Sequence, residues 1–224
     1  MASSEVILLS GDATRKVDVT IASGESRQQV FVALPGDGGV IDCSVSVRFS
    51  GEGGECTLRG LYLAGGRSSV NFTVNMEHGV PNCSSRQLFK GIVAGEARTR
   101  FFGLIRVPEK CIGTEAYQEN HNLLLSDDCR SQSLPQLEIY ADDVKCSHGS
   151  TVGQLNEAAL FYMRQRGIPE DEARLLLKFA FMGQVIDGIP MTSLRDRLHY
   201  LVEKRFRGEL GKCGGCQNAL NCER

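Results

Sequence analysis

Between Glu5 and Gly149 apolar residues return at every second position in short runs. Val45–Phe49, Cys56–Leu63, Val70–Met76 and Leu137–Tyr140 all alternate, the period of a strand with one face buried. Glycines punctuate the runs at Gly51, Gly53-Gly54, Gly65-Gly66 and Gly95. No helical pattern of three turns interrupts them. Residues 1–150 therefore read as a mainly β domain. Strands arriving about every ten residues with glycine corners fit a sandwich, a barrel or a solenoid. No strict short repeat singles out the solenoid.

After residue 151 the period becomes helical. Leu155, Ala158, Ala159, Tyr162 and Met163 fall at i, i+3, i+4, i+7 and i+8, which predicts one apolar helix face. Gly167 ends that helix. Pro169 followed by Glu170, Asp171 and Glu172 starts a second, with acids at its positive end. From Ala173 to Ile186 this helix is apolar nearly all round. Leu175, Leu176, Phe179 and Phe181 must bury more than one face, either in a core or against a partner. A third helix is expected after Pro190, capped by Thr192 or Ser193 and running to about Arg207. The organisation expected is thus a β core over 1–150, a small helical domain over 151–210 and a Cys-rich tail over 211–224.

Composition narrows the function classes. Apolar residues make up 42% and charged residues 23%, as in ordinary globular chains. The formal net charge is -2, so bulk charge does not point to nucleic acid. No apolar run has the length of a membrane span. Met1–Ser10 lacks the basic start of an export signal, so a cytoplasmic location is expected. In that compartment nine cysteines read as thiols, metal ligands or buried apolar groups, not as disulfides.

Three places hold candidate chemistry. Cys146 and His148 stand two apart in a polar block, Ala141–Thr151, just before the first helix. On an extended segment both point the same way, and a thiolate with an imidazole can share iron or zinc. Two ligands do not close a site, so the rest would come from elsewhere, and a turn with a buried Cys is the competing account. His78 and Cys83 flank a second turn, but nothing supplies the orienting acid of a nucleophilic pair. The tail carries Cys213, Cys216 and Cys222, a C-x2-C pair plus one, which is either a metal half-site or a thiol-bearing tail. No phosphate loop, dinucleotide fingerprint or zinc-protease motif is present, and no clustered carboxylates suggest a carbohydrate-cleaving solenoid.

Longer strings are more specific than these spacings. Tyr117–Asp127 and Pro135–Gly153 strongly resemble the core signature of the SufD/SufB family of the SUF iron–sulfur assembly machinery, and Pro81–Gly91 and Leu160–Ile168 are similar to it as well. The resemblance covers about residues 40–190. It implies a right-handed parallel β-helix followed by a C-terminal helical domain, in a short, SufD-like form. It implies a non-enzymatic scaffold that docks a SufC-like ATPase on the C-terminal helices, through Leu175, Leu176, Phe179 and Phe181. It also implies pairing through the solenoid end with a SufB-like chain or a second copy, as a dimer. The cluster, or iron alone, would be held transiently at that interface and not as a tight cofactor, with His148 and Cys146 as the assembly residues. The tail cysteines are not a family feature; a stand-alone metal-binding module using them is the alternative reading.

Overall fold

The computed structural model describes residues 3–207. Strands come first: β1 (Ser3–Ser10), β2 (Ala13–Ile21), β3 (Ser26–Leu34), β4 (Val40–Phe49), β5 (Glu55–Ala64), β6 (Ser69–Glu77), β7 (Ser84–Val93), β8 (Arg98–Val107), β9 (Thr114–Leu124), β10 (Arg130–Ile139) and β11 (Val144–Gly153). Helices α1 (Glu157–Gln165), α2 (Glu170–Ile186) and α3 (Thr192–Phe206) follow. The odd strands line up as one six-stranded sheet and the even strands as a five-stranded one, with every neighbouring pair parallel. Alternation between two parallel sheets makes a β-solenoid of about five turns.

One turn takes close to thirty residues. Ser26 pairs with Glu55, and Glu55 with Ser84. The corners stack too: Gly38, Gly66 and Gly95 share positive φ values of 72°, 59° and 67°. A Cβ on Gly95 would sit 2.9 Å from the Gly66 carbonyl oxygen. Only glycine tolerates both that backbone and that approach.

Inward positions recur in columns through the sheet. Phe31, Gly60 and Phe89 stand one above another, as do Tyr62 and Gly91. A side chain at Gly60 would overlap the Phe89 ring, and one at Gly91 would overlap Tyr62. Large and small residues thus alternate along the axis to fill the lumen at crystal-like density. Phe72 joins the columns across the lumen, with ring centres 6.2 Å from Phe31, 5.8 Å from Tyr62 and 5.4 Å from Phe89.

The outer face of the odd sheet is buried as well. Leu61, Leu63 and Ile92 point outward yet are hidden, which is why β5 and β7 end in unbroken apolar runs instead of alternating. α2 is tied to this face by Lys90 and Arg59. Lys90 Nζ donates to the Phe181 carbonyl at 2.9 Å and Arg59 Nη1 to the Gln184 carbonyl at 2.6 Å. α2 has no basic residue in its last turn. The strands supply the positive charge its negative end requires.

The chain parts into two compact units, one up to Val185 and one from Ile186 on. Within the second, α3 buries Leu198, Leu201 and Val202, and His199 Nε2 lies 3.2 Å from Asp187 Oδ1. The all-β reading, the strands named from alternation and the three helices are all borne out, as is the solenoid that the resemblance implied. Two local expectations are corrected. The N-cap of α3 is Met191, which makes no side-chain bond, not Thr192 or Ser193; Thr192 instead lies 3.5 Å from the Arg195 guanidinium. In α1 the expected apolar face is only partly turned inward: Leu155 before it is buried and Ala159 and Met163 are half-buried, while Ala158 is exposed. Tyr162 is exposed, with the Arg166 guanidinium 5.2 Å from its ring centre, and Leu160 is the buried residue. Asn156 caps α1 by accepting from Ala159 N at 3.0 Å. No helix among the described residues is long and apolar enough to cross a membrane.

Candidate functional site

β10 and β11 are the last strands of their sheets. Each is paired on one side only, so the last coil of the solenoid presents two free backbone edges among the described residues. β11 is bound to β9 in register, with Cys146 above Ala116, His148 above Gln118, Ser150 above Asn120 and Val152 above Asn122. The residues beneath are all buried. The upper row therefore closes nothing above itself and forms the end surface of the lumen.

Cys146 and His148 do share this inward-facing row, as strand geometry requires. Their surroundings differ. Cys146 is half-buried and packs against the hydrophobic core, while His148 is exposed. Burial pushes the Cys146 thiol up, against a smaller opposing effect from a hydrogen bond with the Ala116 backbone. Among the described residues no group of three or more His, Cys, Asp and Glu side chains is gathered for a metal. A metal held by His148 and Cys146 would therefore need ligands from beyond the described residues. The same last coil carries exposed apolar residues: Tyr140, Val152 and Ile139 at 58%, 46% and 37% exposure. Unpaired strand edges beside apolar side chains are a surface that native proteins cover.

Directly under this surface the lumen turns polar. Gln118 Nε2 donates to Gln87 Oε1 at 3.0 Å. Asn120 Nδ2 donates to the Tyr62 hydroxyl at 3.0 Å, that hydroxyl donates to Asn122 Oδ1 at 2.6 Å, and Asn122 Nδ2 returns to Asn120 Oδ1 at 2.8 Å. The closed ring satisfies each member, and burial pushes the Tyr62 hydroxyl up to about 12. Gln118 Oε1 is different: it is buried and has no partner, a state that costs about 1–3 kcal/mol. These lumen polars escaped the sequence reading because an inward polar residue in an alternating strand looks like an ordinary outward one.

The other five described cysteines are core residues. Cys43, Cys56, Cys83, Cys111 and Cys129 are buried and free. Burial raises Cys43 to about 11 and Cys56 to about 12. His78 is also buried, stacked 4.5 Å from Phe49 and 2.9 Å from the Ser85 hydroxyl, and burial lowers it to about 4. Cys83 Sγ faces the Gly51 and Pro81 carbonyls. Among the described residues no acid contacts this imidazole, and its neighbours Phe49 and Ser85 are packing partners. Cys213, Cys216 and Cys222 lie outside the described residues.

The helical candidates divide. Leu175 is buried, Phe179 and Phe181 are half-buried, and Leu176 is 41% exposed. Sequence reasoning missed Phe161, which is 63% exposed beside Tyr162 at 59%. Adjacent aromatics on a helix point about 100° apart, which was the available signal that one narrow face could not bury both.

Comparison with known proteins gives the following. Residues 12–181 match the family model described as SUF system FeS cluster assembly, SufBD core domain. An iron–sulfur cluster assembly SufBD family protein of Mycobacterium leprae is 36% identical over 184 residues, 79% of this chain and 46% of the relative. The iron–sulfur cluster assembly protein SufD of Escherichia coli K12 is 34% identical over 171 residues, 76% of this chain and 40% of the relative. A SufBD family protein of Synechocystis is 34% identical over 198 residues, 88% of this chain and 43% of the relative. The chain spans less than half the length of each of these relatives.

Proposed function

This chain belongs to the SufBD core family of the SUF iron–sulfur cluster assembly system, and on that premise we propose that it is a non-catalytic, cytoplasmic scaffold on which clusters are built. The observation that carries the reading is the last coil: an exposed His148 and a half-buried Cys146 share one row of an unpaired strand edge. The end surface pairs with that of a SufB-like chain or of a second copy. Pairing covers Ile139, Tyr140 and Val152 and brings the missing ligands to His148 and Cys146. Iron and sulfide, the cargo, meet there transiently.

The helices take a SufC-like ATPase. Phe161, Tyr162 and Leu176 offer the exposed apolar contacts, and Leu175, Phe179 and Phe181 back them. Phe181 and Gln184 are the points where α2 is bonded to β7 and β5 through Lys90 and Arg59. Movement of the ATPase subunits on hydrolysis therefore pulls on the same sheet whose last strand carries the ligands. This is coupling of a distant site to an interface with two arrangements.

Anaerobic reconstitution tests the reading. The complex of this chain with its ATPase and any SufB-like partner is purified with wild-type chain and with His148→Ala, and iron and acid-labile sulfide are counted. The reading expects an assembled variant complex with little or no cluster. Equal cluster content in the two complexes contradicts it.

A further inference from the structure

Gln118 stands directly beneath His148 in the register of β9 and β11. It is 1% exposed, and its Oε1 is a buried acceptor without a partner. Its other amide atom is committed: Nε2 donates to Gln87 Oε1 at 3.0 Å, and beneath Gln87 the column continues as Leu58. Across the lumen the amide faces Gly103. A side chain at Gly103 would overlap it, so β8 leaves that space open. The residue above Gly103 on β10 is Pro135.

The residue above Gln118 in the register of β11 is His148, whose imidazole makes no hydrogen bond among the described residues. A neutral imidazole that gives one ring nitrogen to a metal carries a proton on the other. That N–H nearly always donates to an oxygen behind it, which fixes the tautomer and the ring plane. An acceptor that is buried, unpartnered, anchored through its own amide nitrogen to Gln87 and placed one strand below the ligand is fitted to that task.

We infer that Gln118 is the positioning residue for His148: Gln118 Oε1 accepts one ring N–H of the imidazole and leaves the other ring nitrogen facing out of the solenoid toward iron. The inference rests on the reading of His148 as a cluster ligand and adds what orients it. It also accounts for a polar lumen just below the last coil, where an apolar column would pack at no cost in unpaired groups.

The test uses the paired complex of the reading above, with this chain labelled with 15N, saturated anaerobically with Zn2+ as a stand-in for iron. The His148 ring signals are assigned by their loss in His148→Ala. In wild-type chain, one ring nitrogen is expected to carry zinc and the other a slowly exchanging proton. Gln118→Met, close in shape but without the acceptor, is expected to make that proton exchange rapidly and to weaken zinc at His148 by about 10–100-fold. If His148 shows no zinc-shifted ring signals, the ligand reading fails and the inference with it. If His148 binds zinc but Gln118→Met changes neither exchange nor affinity, the ligand reading stands and the role of Gln118 is overturned. Should Gln118→Met not fold, wild-type chain decides alone: a zinc-bound His148 whose ring proton exchanges as fast as in free imidazole overturns it.

Discussion

Lys90 Nζ donates to the Phe181 carbonyl oxygen at 2.9 Å and sits 4.6 Å from the centre of the Phe181 ring. One ammonium thus holds both the backbone and the side chain of α2 against β7. Burial lowers the Lys90 amine and the Glu119 carboxylate opposes that. The amine is largely enclosed, so its partners in α2 replace the water it lost. Lys90→Met keeps the stem and removes the charge. It is expected to loosen α2 by about 1.5–3 kcal/mol, the range for a hydrogen bond to a charged group. Amide exchange should rise in α2 and stay unchanged in β4 and β6. Uniform protection in the variant would mean that apolar contacts alone hold the helix.

His78 makes stability depend on pH. Its ordinary value is 6.5 and burial lowers it to about 4. Between those values the unfolded chain binds the proton and the folded chain does not, so stability rises with pH across the window. Going down, the His78 contribution is lost from pH 6.5 to about 4 and reaches up to about 3 kcal/mol. His78→Gln retains a partner for Ser85 and should flatten this part of the curve. Urea midpoints at pH 7.5 and pH 5 measure it; an equal drop in variant and wild type would assign the dependence elsewhere.

Thiol reactivity separates the cysteines. Cys146 is the half-buried thiol of the six described, and the other five are buried. Brief alkylation of the native chain followed by peptide mapping should label Cys146 well before Cys43, Cys56, Cys83, Cys111 and Cys129, which should react only on unfolding. Early labelling of Cys56 would show that the lumen opens.

Gly60 tests the packing of the columns. Adding a methyl overlaps the Phe89 ring, and the ring has nowhere to turn, with Phe101 4.8 Å and Phe72 5.4 Å away. Gly60→Ala is expected to cost about 1–3 kcal/mol, read as a lower urea midpoint at an unchanged slope. An unchanged midpoint would show that the column has slack.

Much of the fold was legible from alternation. Val45–Phe49 and Val70–Met76 each bury one face and expose the other, so their period is plain. β7 was harder, because α2 covers its outer face and its end, Phe89–Val93, is buried throughout. The solenoid repeat was present in the corners: the left-handed positions Gly24, Gly53 and Asn82 are 29 apart, and Gly38, Gly66 and Gly95 are 28 and 29 apart. Each turn tolerates any apolar residue that fills its layer, so the side-chain repeat blurs while the left-handed corners keep time, and with Asn in one of them even the corner residue is not constant. The site was half legible. The spacing of Cys146 and His148 placed them on one side of a strand. That this strand is the last of its sheet, with Gln118 orphaned beneath it, depends on register across thirty residues and leaves no local mark.

The central claim is that the open end at β10 and β11 is where this scaffold pairs. The direct measurement is native mass spectrometry of the chain co-expressed anaerobically with its SufC-like ATPase, with and without a SufB-like chain, as wild type and as Val152→Asp. Val152 is 46% exposed in the end row, so the charge should spare the fold and repel an apolar partner surface. The account predicts that wild type forms a paired complex, and that Val152→Asp retains the ATPase but falls to a single solenoid chain. A Val152→Asp complex with the mass of wild type would contradict it.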